Sequence, residues 1–385
     1  MATSSFSTVK LNSTTFLIQE HDAYGERPFI YVKLPPTAPV LILTDTGCDE
    51  PDARHKNSRF IHLRDYLENF PVASNDNKPL NPNAGLHYII IFTHCHYDHI
   101  GGVTQFLPPA GPPDNQRPPR IIASSWGRDF IESDDFDAHS LFKFISKPVP
   151  FYYVTKWAQA FDQLYIEINN PKRNLFVNLD LKVSFILIPG HTPDSLAWYD
   201  REEMWLYVGD MMYEEIGSNE AAEEDRPVEG TSSGGASIVF PSHANLIEWV
   251  ASLRKLLVLA RAENAKAERR AKADAASLGD EGWQIVPRRV KLAAGHMTSG
   301  ADAEEFLKKV DQFFYQILQK KIPVIKKEYH WDDLYFTWRA EEWNLSFRAP
   351  PRLVDQARDF FDFHGSDFHD GSEMELASSG YFLHA

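Results

Sequence analysis

The feature that most constrains this chain is an apolar run, residues 87–92 (HYIIIF), that feeds directly into Thr93-His94-Cys95-His96-Tyr97-Asp98-His99-Ile100-Gly101-Gly102. A run of that length without polar alternation predicts a strand buried on both faces. The imidazoles and carboxylate that follow then stand at the rim of a core. On extended backbone, residues two apart share a face, so His94 and His96 aim at one ion together. A turn after them lets Asp98 and His99 face a second ion, and the glycines let the backbone pass close by. Imidazole and carboxylate are ordinary ligands of zinc, with iron or manganese the chemical alternatives. Cys95, between two ligands, points the other way and reads as a core residue, as does Cys48.

One such cluster supplies too few donors for two ions. Three later strand-to-loop junctions each offer one more beside a glycine. Gly190-His191 follows an expected strand at 181–188, Gly209-Asp210 one at 204–208, and Gly295-His296 one at 289–293. A lone histidine at a strand end is ordinarily a hydrogen-bonded boundary residue, and a lone aspartate beside glycine a turn former. Seven donors in this order favour a metal centre over that reading.

Around the cluster, strands are predicted at 16–19, 29–34, 40–45, 120–124, about 151–154 and 195–200, from β-branched and aromatic content between Pro and Gly. Helical spacing predicts helices at 58–70, 243–272 and 301–320, the second ending in alternating charge that reads as solvated. Residues 1–330 are expected to form one catalytic domain, with a flexible loop at 214–236 and a helical insertion at 243–286. Residues 331–385 are expected to be an extension packing on it, polar from about 365. Phe151, Tyr152, Tyr153, Trp157, Trp331, Trp338 and Trp343 are candidates for an apolar pocket wall, with plain core the bland alternative. The loop 214–236 is the candidate lid.

Composition narrows the partners. Acidic residues number 54 against 39 basic ones, a formal charge of −15, which opposes nucleic acid because phosphate binding needs a concentrated basic surface. No apolar run is long enough to span a bilayer, and the start MATSSFSTVK lacks signal-peptide character. Two cysteines make a disulfide framework improbable. These features predict a cytoplasmic enzyme acting on a small molecule, without nucleic acid or membrane as partner.

The motif His-x-His-x-Asp-His at 94–99, with His191, Asp210 and His296 beyond it, resembles the metallo-β-lactamase fold superfamily over at least residues 15–320. The resemblance implies an α/β (α+β) fold: an αββα sandwich of the metallo-β-lactamase type with insertions and a C-terminal extension, its metals at one edge of the sheets. It implies that His94, His96 and His191 hold one Zn2+, that Asp98, His99 and His296 hold the other, and that Asp210 bridges the two. Asp45, in Thr44-Asp45-Thr46-Gly47, resembles the family's early Asp-x-Gly turn, a support behind a ligand; an ordinary turn is the alternative.

Asp210 stands where the commonest antibiotic-degrading members carry Cys, which is similar to glyoxalase II-type thioesterases and lactonases. Tyr213, three residues later, resembles the lactonase tyrosine that bonds a substrate carbonyl. Residues 343–350 (WNLSFRAP) are similar to the tail of fungal hydrolases of the superfamily, some linked to cyclic amides or carbamates. The expectation is a binuclear zinc hydrolase opening a cyclic ester, amide or carbamate by attack of a metal-bridging hydroxide. Asp98 or Asp210 would pass a proton to the leaving group, and Tyr213 would steady the oxyanion. The alternatives are a glyoxalase II-type thioesterase and a non-catalytic metal-binding scaffold.

Overall fold

The computed structural model describes residues 3–108, 118–170, 175–215, 237–277, 285–331 and 333–362. The first sheet has seven strands in chain order: β1 (Phe6–Lys10), β2 (Thr15–Glu20), β3 (Phe29–Lys33), β4 (Val40–Thr44), β5 (His87–Ile91), β6 (Arg120–Ser124) and β7 (Lys156–Ala158). β1 to β4 pair antiparallel, and β4 to β7 parallel. The second sheet takes β8 (Gln163–Asn170), β9 (Leu175–Leu187), β10 (Leu196–Asp200) and β11 (Trp205–Tyr207). After β12 (Ile238–Val239), which belongs elsewhere, it adds β13 (Lys291–Ala293) and β14 (Ser299–Asp302), in the order β14-β13-β11-β10-β9-β8. A third sheet, β12-β17-β16-β15, is completed by β15 (Val324–His330), β16 (Asp333–Ala340) and β17 (Leu345–Ala349).

The first two sheets form a sandwich. Leu17, Tyr31, Ile42, Ile89, Ile91 and Ile122 of the first meet Leu181, Val183, Phe185, Leu196, Trp198 and Tyr207 of the second. The opposite face of the first sheet, with Phe16, Ile18, Ile30, Leu41, Leu43 and Ile90, is covered by α1 (Leu63–Asn69) through Leu63, Tyr66 and Leu67. β5 thus sends Ile89 and Ile91 one way and Ile90 the other, which is why its sequence shows no polar alternation. Four short helices follow α1: α2 (Tyr97–Ile100), α3 (Arg128–Ile131), α4 (Phe136–His139) and α5 (Phe142–Ile145).

The outer face of the second sheet carries α6 (Leu246–Ser277) and α7 (Ala303–Leu318). α7 is capped by Asp302, whose side chain accepts from the Glu305 N–H. The layers therefore run helix, sheet, sheet, helix, the expected αββα order. The third sheet and α8 (Pro351–Phe360) share this last core: Trp338, Phe347 and Leu353 pack in one cluster with Trp249 of α6 and Phe313 of α7.

Several elements differ from the sequence reading. Residues 151–154 are not a strand, and the helix expected over 58–70 is confined to Leu63–Asn69. β1, β8 and β14 to β17 are strands that the sequence pattern does not predict, because charged and polar residues interrupt it, and β7 and β12 are too short to show a period. β15 (VIKKEYH) is an edge strand whose charges face solvent, a common guard against edge pairing. A division after residue 330 would part the β15–β16 hairpin. The loop expected at 214–236 lies outside the described residues from 216 on, as does the tail from 365. Among the described residues no helix is long and apolar enough to cross a membrane. Both cysteines are buried free thiols.

Candidate metal centre

The ligand candidates sit where strands of both sheets end at one rim. His94 and His96 follow β5, and Asp98 and His99 lie on the short α2. His191 lies in the turn between antiparallel β9 and β10. β11 and β13 run parallel with Tyr207 opposite Ala293, so Asp210 and His296, each three residues further on, emerge side by side. The backbone keeps them level: Gly295 N–H donates to Gly209 O at 2.8 Å. Gly209 takes φ 52°, and a Cβ there would meet the Thr93 side chain at 2.7 Å, so this approach of the two sheets needs glycine.

All seven side chains are buried, and they gather as two groups, each with its donor atoms within 4.8 Å of one another. In the first, His96 Nδ1 is 2.9 Å from His94 Nε2 and 3.2 Å from His191 Nε2. In the second, His99 Nε2 lies 3.3 Å from Asp98 Oδ2 and 3.5 Å from Asp210 Oδ1. His296 Nε2 lies 3.2 Å from Asp98 Oδ2 and 3.4 Å from Asp210 Oδ2.

Outer contacts fix which nitrogen faces inward in three of the five rings, His94, His99 and His296. Asp45 Oδ1 accepts from Thr93 N–H at 2.8 Å, and its Oδ2 accepts from Thr93 Oγ1 at 2.7 Å and His99 Nδ1 at 2.9 Å. The Thr93 hydroxyl, having given its proton to Asp45, accepts from His94 Nδ1 at 3.1 Å. The backbone carbonyl of Glu26 accepts from His296 Nδ1 at 2.8 Å. His94, His99 and His296 thereby turn Nε2 lone pairs toward the centre, as a ligating imidazole requires.

The electrostatics point the same way. Burial alone would raise Asp98 and Asp210, but the facing imidazoles outweigh it and hold both carboxyls well below the usual range. Burial would lower His99 and His296, but Asp98 and Asp210 hold them well above theirs. The first group is the reverse. Burial, helped by neighbouring imidazoles, pushes His94 and His96 well down, and burial brings His191 to about 4. Three neutral imidazoles beside two carboxylates form a donor set suited to divalent cations. The residues fit such an ion on a second count: buried His99 Nε2 and Asp210 Oδ1 have no hydrogen-bond partner among the described residues.

Tyr213 is buried beside this group, its ring 5.3 Å from that of His296, and its hydroxyl donates to Ser237 O at 3.2 Å. The proposed pocket wall is not assembled from its aromatic candidates. Phe151 and Tyr153 stand 70% and 72% exposed, Tyr152 packs on Phe92, and Trp338 is core. Sequence reasoning passed over three residues that the fold brings against the cluster, Glu26, Thr93 and His243. Thr93 opens the histidine motif, so its place beside His94 could have been read there. Glu26 and His243 lie in loops with no local signal, and only folding brings them to the centre.

The metallo-β-lactamase superfamily model matches residues 41–260. The chain belongs to this superfamily. The matched stretch is more than half the chain and contains six of the seven ligand candidates, with His296 beyond it. A protein of Aspergillus versicolor described as "Putative transcription factor avaE" is 28% identical over 378 residues, covering 97% of this chain and 91% of its own. Among solved structures, the metallo-β-lactamase superfamily protein ST1585 from Sulfolobus tokodaii is 12% identical, covering 78% of this chain and 86% of its own, with a TM-score of 0.41. The BLEG-1 B3 metallo-β-lactamase is 16% identical, covering 78% and 96%, with a TM-score of 0.41. The metallo-β-lactamase superfamily consists mostly of metal-dependent hydrolases whose members bind divalent metals.

Proposed function

We propose that this chain is a hydrolase that opens a small cyclic ester, amide or carbamate with two divalent metal ions, zinc foremost. The observation that carries the reading is the pair of adjoining buried donor groups, three imidazoles beside two imidazoles and two carboxylates, at the rim of one sandwich. His94, His96 and His191 would hold one ion, and Asp98, His99 and His296 the other. Asp210 would bridge them: it faces both His99 and His296, and its charge also reaches His94 and His191. When bound, such ions make water nucleophilic at neutral pH and polarise the bond to be cleaved.

The chain's own groups do the rest. Asp98 or Asp210, ionised in the folded chain, would take up the proton shed by the attacking water and pass it to the leaving atom. Tyr213, beside His296, would donate its phenol proton to the oxygen on which charge develops, releasing Ser237 O to do so. The name of the Aspergillus versicolor relative points to DNA as a partner, which a formal charge of −15 opposes.

The test is a metal count on the purified full chain, with a panel of lactones, lactams, cyclic carbamates and thioesters. Turnover of a cyclic substrate by a protein holding about two ions per chain is the expected result. Hydrolysis of thioesters alone would replace the substrate assignment, and a protein that takes up no metal would end the hydrolase reading.

A further inference from the structure

The ligand candidates differ in how they are supported. His94, His99 and His296 each give their outer nitrogen to a named acceptor, respectively Thr93, Asp45 and Glu26. His191 and His96 do not: His191 Nδ1 is buried without a partner among the described residues. His96 turns Nδ1 inward to His94 and His191, and its outer Nε2 is buried without a partner among them as well. A ring that ligates through Nδ1 carries its proton on Nε2, and a buried donor left unpaired keeps its full desolvation cost.

The ring beside it is His243, 5.9 Å away centroid to centroid and tilted by 59°. Its Nε2 is likewise buried and unpartnered among the described residues. One atom must be a donor and the other can accept.

His243 is held firmly. It lies in the loop between β12 and α6, and four hydrogen bonds fix that loop. Phe240 N–H donates to Arg348 O at 2.8 Å, on β17. Ser242 donates its hydroxyl to Asp333 Oδ2 at 2.7 Å, and its carbonyl accepts from Arg352 Nη2 at 2.6 Å. Asn245 N–H donates to Gly190 O at 2.8 Å, one residue before His191. On its far side His243 meets the rings of Phe130 and His139.

We infer that His243 is a positioning residue, the outer partner of His96: a small turn of its side chain lets Nε2 accept the His96 Nε2 proton and fixes His96 with Nδ1 toward the metal. The third sheet and α8 then serve the metal centre from a distance, because Asp333 and Arg352 hold the loop that presents His243. This rests on the metal-centre reading above.

The test is zinc titration of the metal-free full chain against a competing chelator, with the thermal midpoint of the metal-free protein and the visible spectrum of the cobalt(II) form. His243→Leu is expected to weaken one of the two ions by roughly 10–100-fold, a usual effect of losing an outer partner. The other ion and the metal-free midpoint stay as in wild type, and the cobalt spectrum changes. His243→Gln, whose amide oxygen accepts a proton, recovers most of the affinity. Asp333→Ala, which frees the loop, shifts the same ion in the same direction by less. Wild-type affinity for both ions in His243→Leu would overturn the inference and leave the metal centre standing. A loss of both ions together with a lower metal-free midpoint would overturn it as well. A wild-type chain that binds no zinc would remove the metal-centre reading, and this inference with it.

Discussion

Asp45 holds His99 from behind: its Oδ2 accepts the His99 Nδ1 proton at 2.9 Å, with His99 fully buried and Asp45 2% exposed. Asp45 sits at φ 64°, a conformation that aspartate, asparagine and glycine adopt most readily. Asp45→Asn therefore keeps the backbone and an acceptor while removing the charge. It is expected to weaken the ion at Asp98, His99 and His296 by roughly 10-fold or more, read by chelator competition. Asp45→Ala, which also strains the turn, is expected to cost more.

Gly295 lies between two ligand candidates, Asp210 and His99. A Cβ there would run into the Asp210 carboxylate and meet His99 Cε1 at 2.9 Å. Gly295→Ala is expected to abolish tight binding of at least one ion and lower turnover by roughly 100-fold or more, since displacement of a reacting group by about 1 Å has that effect. Its circular dichroism spectrum should match wild type, because the sandwich core is untouched.

Glu26 supplies a pH dependence. Burial, with the Asp98 charge beside it, pushes its carboxyl up to about 7, and Tyr97 Oη donates to it at 2.6 Å. The folded pKa is raised above the unfolded value near 4.5. As pH climbs from 4.5 to 7 the unfolded chain releases this proton first, so the metal-free protein loses stability across that window. Glu26→Gln, which keeps an acceptor for Tyr97, removes this contribution. By denaturant unfolding with chelator present, it is expected to equal wild type near pH 4.5 and exceed it by about 3 kcal/mol at pH 8.

Lys33 and Asp200 join the two sheets of the sandwich. Lys33 Nζ is 2.6 Å from Asp200 Oδ2, with the side chains 1% and 0% exposed, and it also donates to Thr14 Oγ1. Removing one charge strands the other in the core. Asp200→Ala is expected to cost about 3–5 kcal/mol in denaturant unfolding. The double change Lys33→Met with Asp200→Leu is expected to recover most of it, because the desolvation of both charges disappears together.

The metal motif was legible in the sequence because its geometry is local. Period-two backbone aligns His94 with His96, and the unbroken run before them marks β5 as buried on both faces. His191, Asp210 and His296 were legible too, each lying beside glycine after an apolar strand. The edge elements were not: in β8 and β15 to β17, charge and partial exposure blur the period on which such reading depends.

The sequence by itself determined which imidazoles and carboxylates gather at the rim, the order in which the strands deliver them and the central strands of the sandwich. Asp45 was legible as a support in its Asp-x-Gly turn, but the tertiary structure alone decided the distant contacts. Glu26 reaches His296 from 270 positions away, and the His243 loop is tied to Asp333 and Arg352 across 91 and 110. Such pairings follow from how sheets and helices stack around the shared cores, where burial rewards any close fit, and no local pattern of residues records which distant loop will meet which ring.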